Sequence, residues 1–197
     1  MVDALKFLWI AIWFFPALVY ADDHAAAPVL IDPTIQSYDG LSSRKLSGSF
    51  FVDKVDDNRA NAFSDTLGIF QSGKKNTVPV VTRLVPSDLL KNSIQGMLRE
   101  LSVLSPERIN AVYAIQAEVL LFEITEADKG MGHEVRAMFG FKVKIIRVAS
   151  NEVIWQSIVT GEDSRKAFDA KKIAESVASN AVFNGILRLL QNLSSLK

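Results

Sequence analysis

Two histidines limit the metal and acid–base chemistry open to this chain. His133-Glu134 opens the His-Glu-x-x-His pattern of zinc proteases, but position 137 is alanine, so the second imidazole one helical turn on is missing. The other histidine, His24, lies far away near the N-terminus. A multi-histidine metal site is therefore excluded, and His133 is expected to be a solvated turn residue. The chain has no cysteine, which removes thiolate nucleophiles, disulfides and Cys-type zinc or iron–sulfur sites. It carries no Gly-x-Ser-x-Gly elbow, Walker loop or Gly-x-Gly-x-x-Gly fingerprint. Asp53, Asp56, Asp57 and Asp65 are close in sequence, but glycosidase chemistry needs two carboxylates held at a fixed separation across a cleft. The same cluster lacks the alternating order of a calcium loop. These residues predict a protein that is not an enzyme, with no catalytic residue, no metal and no cofactor.

What remains is binding. Arg136, Lys142 and Lys144 share parity along one apolar-alternating segment, with Gln116 and Glu118 on the segment that would pair with it. Such residues form either cross-strand charge pairs on a wet sheet face or a docking surface for an acidic partner or lipid head group. The charge-pair reading is the simpler one; Leu120, Phe122 and Met138 have the same parity and keep the docking reading open. The overall balance, 22 basic against 22 acidic residues, provides no bulk field for nucleic acid.

Elements able to hold these residues can be read from periodicity. Ser49 to Val55 is a strand, and Asp56-Asp57-Asn58-Arg59 a loop cluster at its end. Gly68-Ile69-Phe70 and Val78 to Thr82 form a short pair about Gly73 to Asn76, with Pro79 pushing the second toward an edge. A helix opens at Pro86-Ser87-Asp88 with Ser87 as N-cap, and buries Leu89, Leu90, Ile94, Met97, Leu98 and Leu101. Tyr113, Ile115, Ala117, Val119 and Leu121, then Val135, Ala137, Phe139, Phe141, Val143 and Ile145, are all odd-numbered. An antiparallel hairpin with an even register sum puts both sets on one buried face. Val153 to Val159 is a further strand, and about Asp169 to Leu193 a second amphipathic helix in which Gly185 is a modest flaw. The expected fold is α+β, a two-layer sandwich of a mainly antiparallel sheet with two amphipathic helices packed on one face.

Upstream of this domain, Phe7 to Ala21 is apolar apart from Pro16 and ends in Val19-Tyr20-Ala21. This is the length and ending of a cleaved secretory signal rather than of a membrane span. Residues 1–21 therefore read as signal, 22–44 as a flexible tether in which Val29 to Ile31 can add a short edge strand, and 45–197 as one domain.

Val55-Asp56-Asp57-Asn58-Arg59 at a strand end, Gly68 shortly after, the long hairpin and the Ile173 to Leu193 helix together resemble the YajG-type family of uncharacterised bacterial envelope lipoproteins over about residues 45 to 195. The order of elements is also similar to the small modules of outer-membrane assembly accessories. This sequence departs from the family in having no lipobox cysteine. The resemblance implies an envelope accessory protein without catalytic residues, in which Asp57 and Arg59 pair with each other or cap their loop. The binding residues expected are Asp57, Arg59, Arg136, Lys142 and Lys144. The expected partner is an envelope protein or lipid component met in the periplasm, by a chain not integral to the membrane once its signal is cleaved. The alternative is a small-ligand or lipid carrier of the periplasm.

Overall fold

The computed structural model describes residues 27–35, 37–38, 41, 45–60, 64–72, 76–128 and 130–195; the signal-type segment, residues 1–21, lies outside them. In chain order the elements are β1 (Val29–Leu30), β2 (Phe50–Asp57), β3 (Thr66–Ser72), β4 (Asn76–Val81), α1 (Pro86–Glu100), β5 (Tyr113–Asp128), β6 (His133–Arg147), β7 (Glu152–Ala167) and α2 (Ala170–Ser194). The seven strands make one mixed sheet in the order β1-β4-β3-β5-β6-β7, with β2 also on β5. Both helices pack on the sheet and touch each other, giving the expected two layers. The long hairpin pairs β5–β6 and β6–β7 are antiparallel, whereas β2 and β3 both join β5 in parallel.

The hairpin parity holds over Ile115, Ala117 and Val119, which are buried opposite Ile145, Val143 and Phe141. A bulge between Val119 and Leu121 then shifts the register, and from there the even residues turn inward. Phe122 is buried against Phe139 in an edge-to-face ring contact, with centroids 5.0 Å apart. Phe122 is thus a core residue rather than part of an exposed greasy patch. Leu121, expected in the core, is only partly buried, because the extra residue Leu120 reverses its side.

α1 starts two residues earlier than the polar cap signal suggested. Val85 is its N-cap, no side chain caps it, and Pro86 takes the first helical position. Ser87 therefore lies inside the first turn. At α2, Asp169 caps the helix by accepting a bond from the Lys171 amide at 3.1 Å. β7 runs far beyond the expected Val159, to Ala167.

The edge strand anticipated near Val29 forms as β1, which lies parallel to β4 beginning at Val80, just past Pro79. β4 is therefore covered on that side only where it has amides to offer. Around β1, the described part of the segment expected to be a tether is packed: Val29, Ile31 and Leu41 are buried. The Tyr38 hydroxyl donates to the Ser93 carbonyl at 3.0 Å, and its ring lies where a Cβ at Gly96 would come within 2.6 Å. Burial pushes the Tyr38 phenol up, against the opposing effect of its Ser93 bond.

Asp32 ties the same segment to the β4–α1 connection through Arg83, whose hydrogen bonds hold its carboxyl below the usual range. A depressed carboxylate contributes stability above its unfolded pKa and loses it as pH falls through the folded value. The Ile31 amide, bonded to Val81 at 2.9 Å, should therefore keep its hydrogen-exchange protection between pH 5 and 8 and begin to lose it below about pH 4. Arg83→Met should remove that acid step when intrinsic exchange rates are normalised.

Candidate binding surface

β5 carries two different neighbours along one edge, and between them lies a notch. β2 accompanies β5 as far as Asp57 opposite Val119, and β3 joins only at Gly68 opposite Ile124. Gly68 is required at that junction, since a Cβ there would lie 1.8 Å from the Ile124 carbonyl oxygen. The bulge residue Leu120 falls in the gap, and Arg59, Ser64, Gly68, Ile69, Leu120 and Leu121 line the cavity there, about 610 Å³.

Asp57 and Arg59 sit at the rim of this notch and bind each other. The Arg59 Nε donates to Asp57 Oδ1 and its Nη2 to Oδ2, both at 2.9 Å, with a further Nη2 bond to the Ser64 carbonyl at 3.3 Å. The two side chains are 6% and 11% exposed, so a bidentate charge pair is held almost out of water. The Asn58 amide donates to the Val119 carbonyl at 2.8 Å. Together these bonds end β2 and fix the turn away from β5; the pair's polar groups are directed at each other and at the loop.

Arg136, Lys142 and Lys144 project from the other, helix-free face of β6. Arg136 reaches Glu162 on β7 at 2.6 Å, and Lys144 lies 3.9 Å from Glu118 on β5. Lys142 stands in the row Glu118, Lys142, Ile158, with no carboxylate within 4 Å among the described residues. The next row is Leu121, Gly140, Thr160, and the one after it Glu123, Met138, Glu162. Because Gly140 contributes no side chain, this face dips between Lys142 and Met138. Asp57 and Arg59 at the notch are thus separate from the basic stripe, which is largely paired within the sheet.

His133 opens β6 with its Nδ1 2.7 Å from Glu126 Oε1. No group of three metal-ligating side chains occurs among the described residues, and no described helix is long and apolar enough to cross a membrane.

One feature escaped sequence reading altogether. Asn180, Asn184 and Arg188 recur at i, i+4 and i+8 on α2, and run along the outer edge of β7. Asn180 donates to Asp163 Oδ2 at 3.0 Å, Asn184 to the Glu162 carbonyl at 2.7 Å, and Arg188 to the Thr160 carbonyl at 2.5 Å. Those carbonyls face away from β6, so α2 side chains occupy this half of the edge. Main-chain groups alternate along a strand, so Gln156 and Ile158 turn theirs the same way. There the described residues offer only the Ser157 hydroxyl, 3.3 Å from the Ile158 carbonyl. The segment Val153 to Val159 has no charge and no proline, and leaves Ile158 65% exposed. Edge strands are ordinarily blunted by such residues.

No family model and no curated protein matches the chain. Among solved structures, a DUF330-family protein from Xanthomonas campestris aligns with a TM-score of 0.50 at 12% identity, over 85% of this chain and 90% of that one. The likeness is one of fold. A protein assigned to the lipoproteins from Caulobacter crescentus CB15 aligns at 0.43 and 13% identity, over 56% of this chain and 81% of that one. A minor lipoprotein from Acinetobacter baumannii aligns at 0.40 and 13% identity, over 72% and 92%. None of these three is described as YajG-type, and the likeness that carries weight is to the fold of the DUF330 protein.

Proposed function

We propose that this chain is a non-enzymatic accessory module of the bacterial envelope, working in the periplasm by holding a partner protein through strand addition at the open half of β7. The observation that carries the reading is the uncharged, proline-free edge from Val153 to Val159, exposed beside a stretch that α2 has already covered. A partner strand laid there gains main-chain bonds from Gln156 and Ile158, and side-chain contact with Ile158. The apolar run that ends at Ala21 supports the envelope setting.

A carrier would need an apolar cavity between sheet and helices. The described residues there, among them Leu90, Ile94, Phe139, Phe141, Val177 and Ile186, are wholly buried in one contiguous core.

Crosslinking the tagged protein in its native envelope, with mass spectrometry of attached proteins and co-extracted lipids, tests the reading. One recurrent protein partner is expected. The exposed double substitution Gln156→Lys/Ile158→Lys should cut its recovery about tenfold, consistent with loss of a central strand contact, while leaving the melting temperature unchanged. Recovery unaffected by that variant, or stoichiometric lipid with no protein, overturns the proposal.

A further inference from the structure

We infer that the β5–β6 end of the molecule dips into a lipid bilayer surface, with Met131 and Phe168 as the inserted side chains. Met131 lies in the turn between β5 and β6 and is 89% exposed; Phe168 follows β7 and is 87% exposed. The two come from different connections, yet together with Gly132, Lys166 and Ala167 they line one depression of about 310 Å³. The sheet has nothing to gain from displaying them: neither side chain reaches the core.

The rest of the chain is arranged to suit such a contact. β3 runs parallel to β5 and therefore ends, at Ser72, on the same side as Asp128. β4 starts there and runs away, and β1 runs parallel to β4. The chain upstream of β1 consequently joins the domain from the Met131 end. That upstream portion contains the apolar run Phe7 to Ala21, a sequence suited to lipid.

Charge points to how the surface is met. Among the described residues at this end, Lys166, Lys171 and Lys172 are matched in number by Asp128, Glu134 and Asp169. The contact is made by apolar insertion, with the lysine heads left at head-group level. Two exposed side chains on separate connections also fit a deformable bilayer better than the broad, flat core of a protein interface. This inference is independent of the β7 edge, which lies along the side of the sheet.

Because the chain has no cysteine, single probes can be placed without ambiguity. Full-length Met131→Cys and Phe168→Cys carry an environment-sensitive NBD label, with Ile109→Cys as control. Ile109 is 83% exposed in the 3₁₀ turn Arg108–Asn110 before β5, at the opposite end. On phosphatidylethanolamine/phosphatidylglycerol vesicles, labels at 131 and 168 should brighten severalfold and be quenched by spin-labelled acyl chains, while 109 stays as in water. The response should persist at high salt and on zwitterionic vesicles. An unlabelled Met131→Ser/Phe168→Ser chain, compared by sedimentation with wild type, should bind vesicles less. Labels at 131 and 168 that remain in water on bound vesicles, or a label at 109 that enters equally, overturn the inference. So does a response appearing only on membranes that retain their proteins, which would make the tip a protein contact.

Discussion

Gly161→Ala is expected to unseat α2, with a loss of about 3 kcal/mol or more and a fall in soluble yield. Gly161 lies on the inner face of β7, where α2 crosses it. A Cβ there would lie 2.0 Å from the Ala181 carbonyl oxygen and 2.2 Å from the Gly185 amide nitrogen. Both atoms belong to helix backbone, so no rotamer change relieves the clash and the whole helix has to move. Moving it separates Ala178, Ala181, Val182 and Ile186 from the sheet. It also withdraws Asn184 and Arg188 from the Glu162 and Thr160 carbonyls, lengthening the exposed edge and inviting aggregation. Gly185→Ala is the control. Its Cβ would meet only the edge of the Phe141 ring at 3.0 Å, apart from Gly161 backbone no closer than 3.5 Å, and alanine gains up to about 1 kcal/mol of helix propensity. Thermal melts should separate the two variants clearly; similar small shifts for both would show that α2 does not depend on this crossing.

That crossing marks where sequence reading stops. Gly185 reads from sequence as a flaw in an amphipathic helix, and its use appears only when Gly161, distant in the chain, comes to rest against it. The hairpin parity was legible as far as Val119, because alternation is a local consequence of the pleat. It failed at Leu120 because a bulge is a property of a strand's neighbours. There β2 leaves β5 and β3 has not yet joined, and the consecutive apolar residues Leu120-Leu121-Phe122 were the only trace. The parallel pairings of β2 and β3 were illegible for the same reason: nothing in either segment names its partner. Asn180, Asn184 and Arg188 were visible as a polar stripe at helical spacing, but their purpose depends on a strand edge that topology alone places beneath them. Of the five residues singled out for binding, Asp57 and Arg59 form the pair that the strand-end resemblance implied. Arg136 and Lys144 have carboxylate neighbours across the sheet, leaving Lys142 beside Ile158 as the one facing the proposed docking edge.

Asp57→Ala should cost about 3–5 kcal/mol, the usual consequence of leaving one member of a buried ion pair without its counterion. With Asp57 gone, the Arg59 guanidinium keeps the Ser64 carbonyl at 3.3 Å as its remaining described acceptor. It must then either stay desolvated or swing outward and release the turn that ends β2. At about 2–4 °C per kcal/mol for a domain of this size, the melting temperature should fall by roughly 6–20 °C. The double variant Asp57→Ala/Arg59→Met should recover more than half of that loss, because removing both charges abolishes the penalty and methionine still fills the space beside the notch. This cycle also separates the two roles open to the pair. A structural clamp loses stability in the single variant and regains it in the double, with partner capture following stability. A binding pair would instead lose capture equally in both variants, whatever the melting temperature does. The geometry favours the clamp: each Asp57 carboxylate oxygen takes an Arg59 donor, and the pair lies at the point where β5 exchanges β2 for β3. Its loosening would let β2 slip along β5, and a one-residue slip there would turn Phe50 and Val52 out of the core.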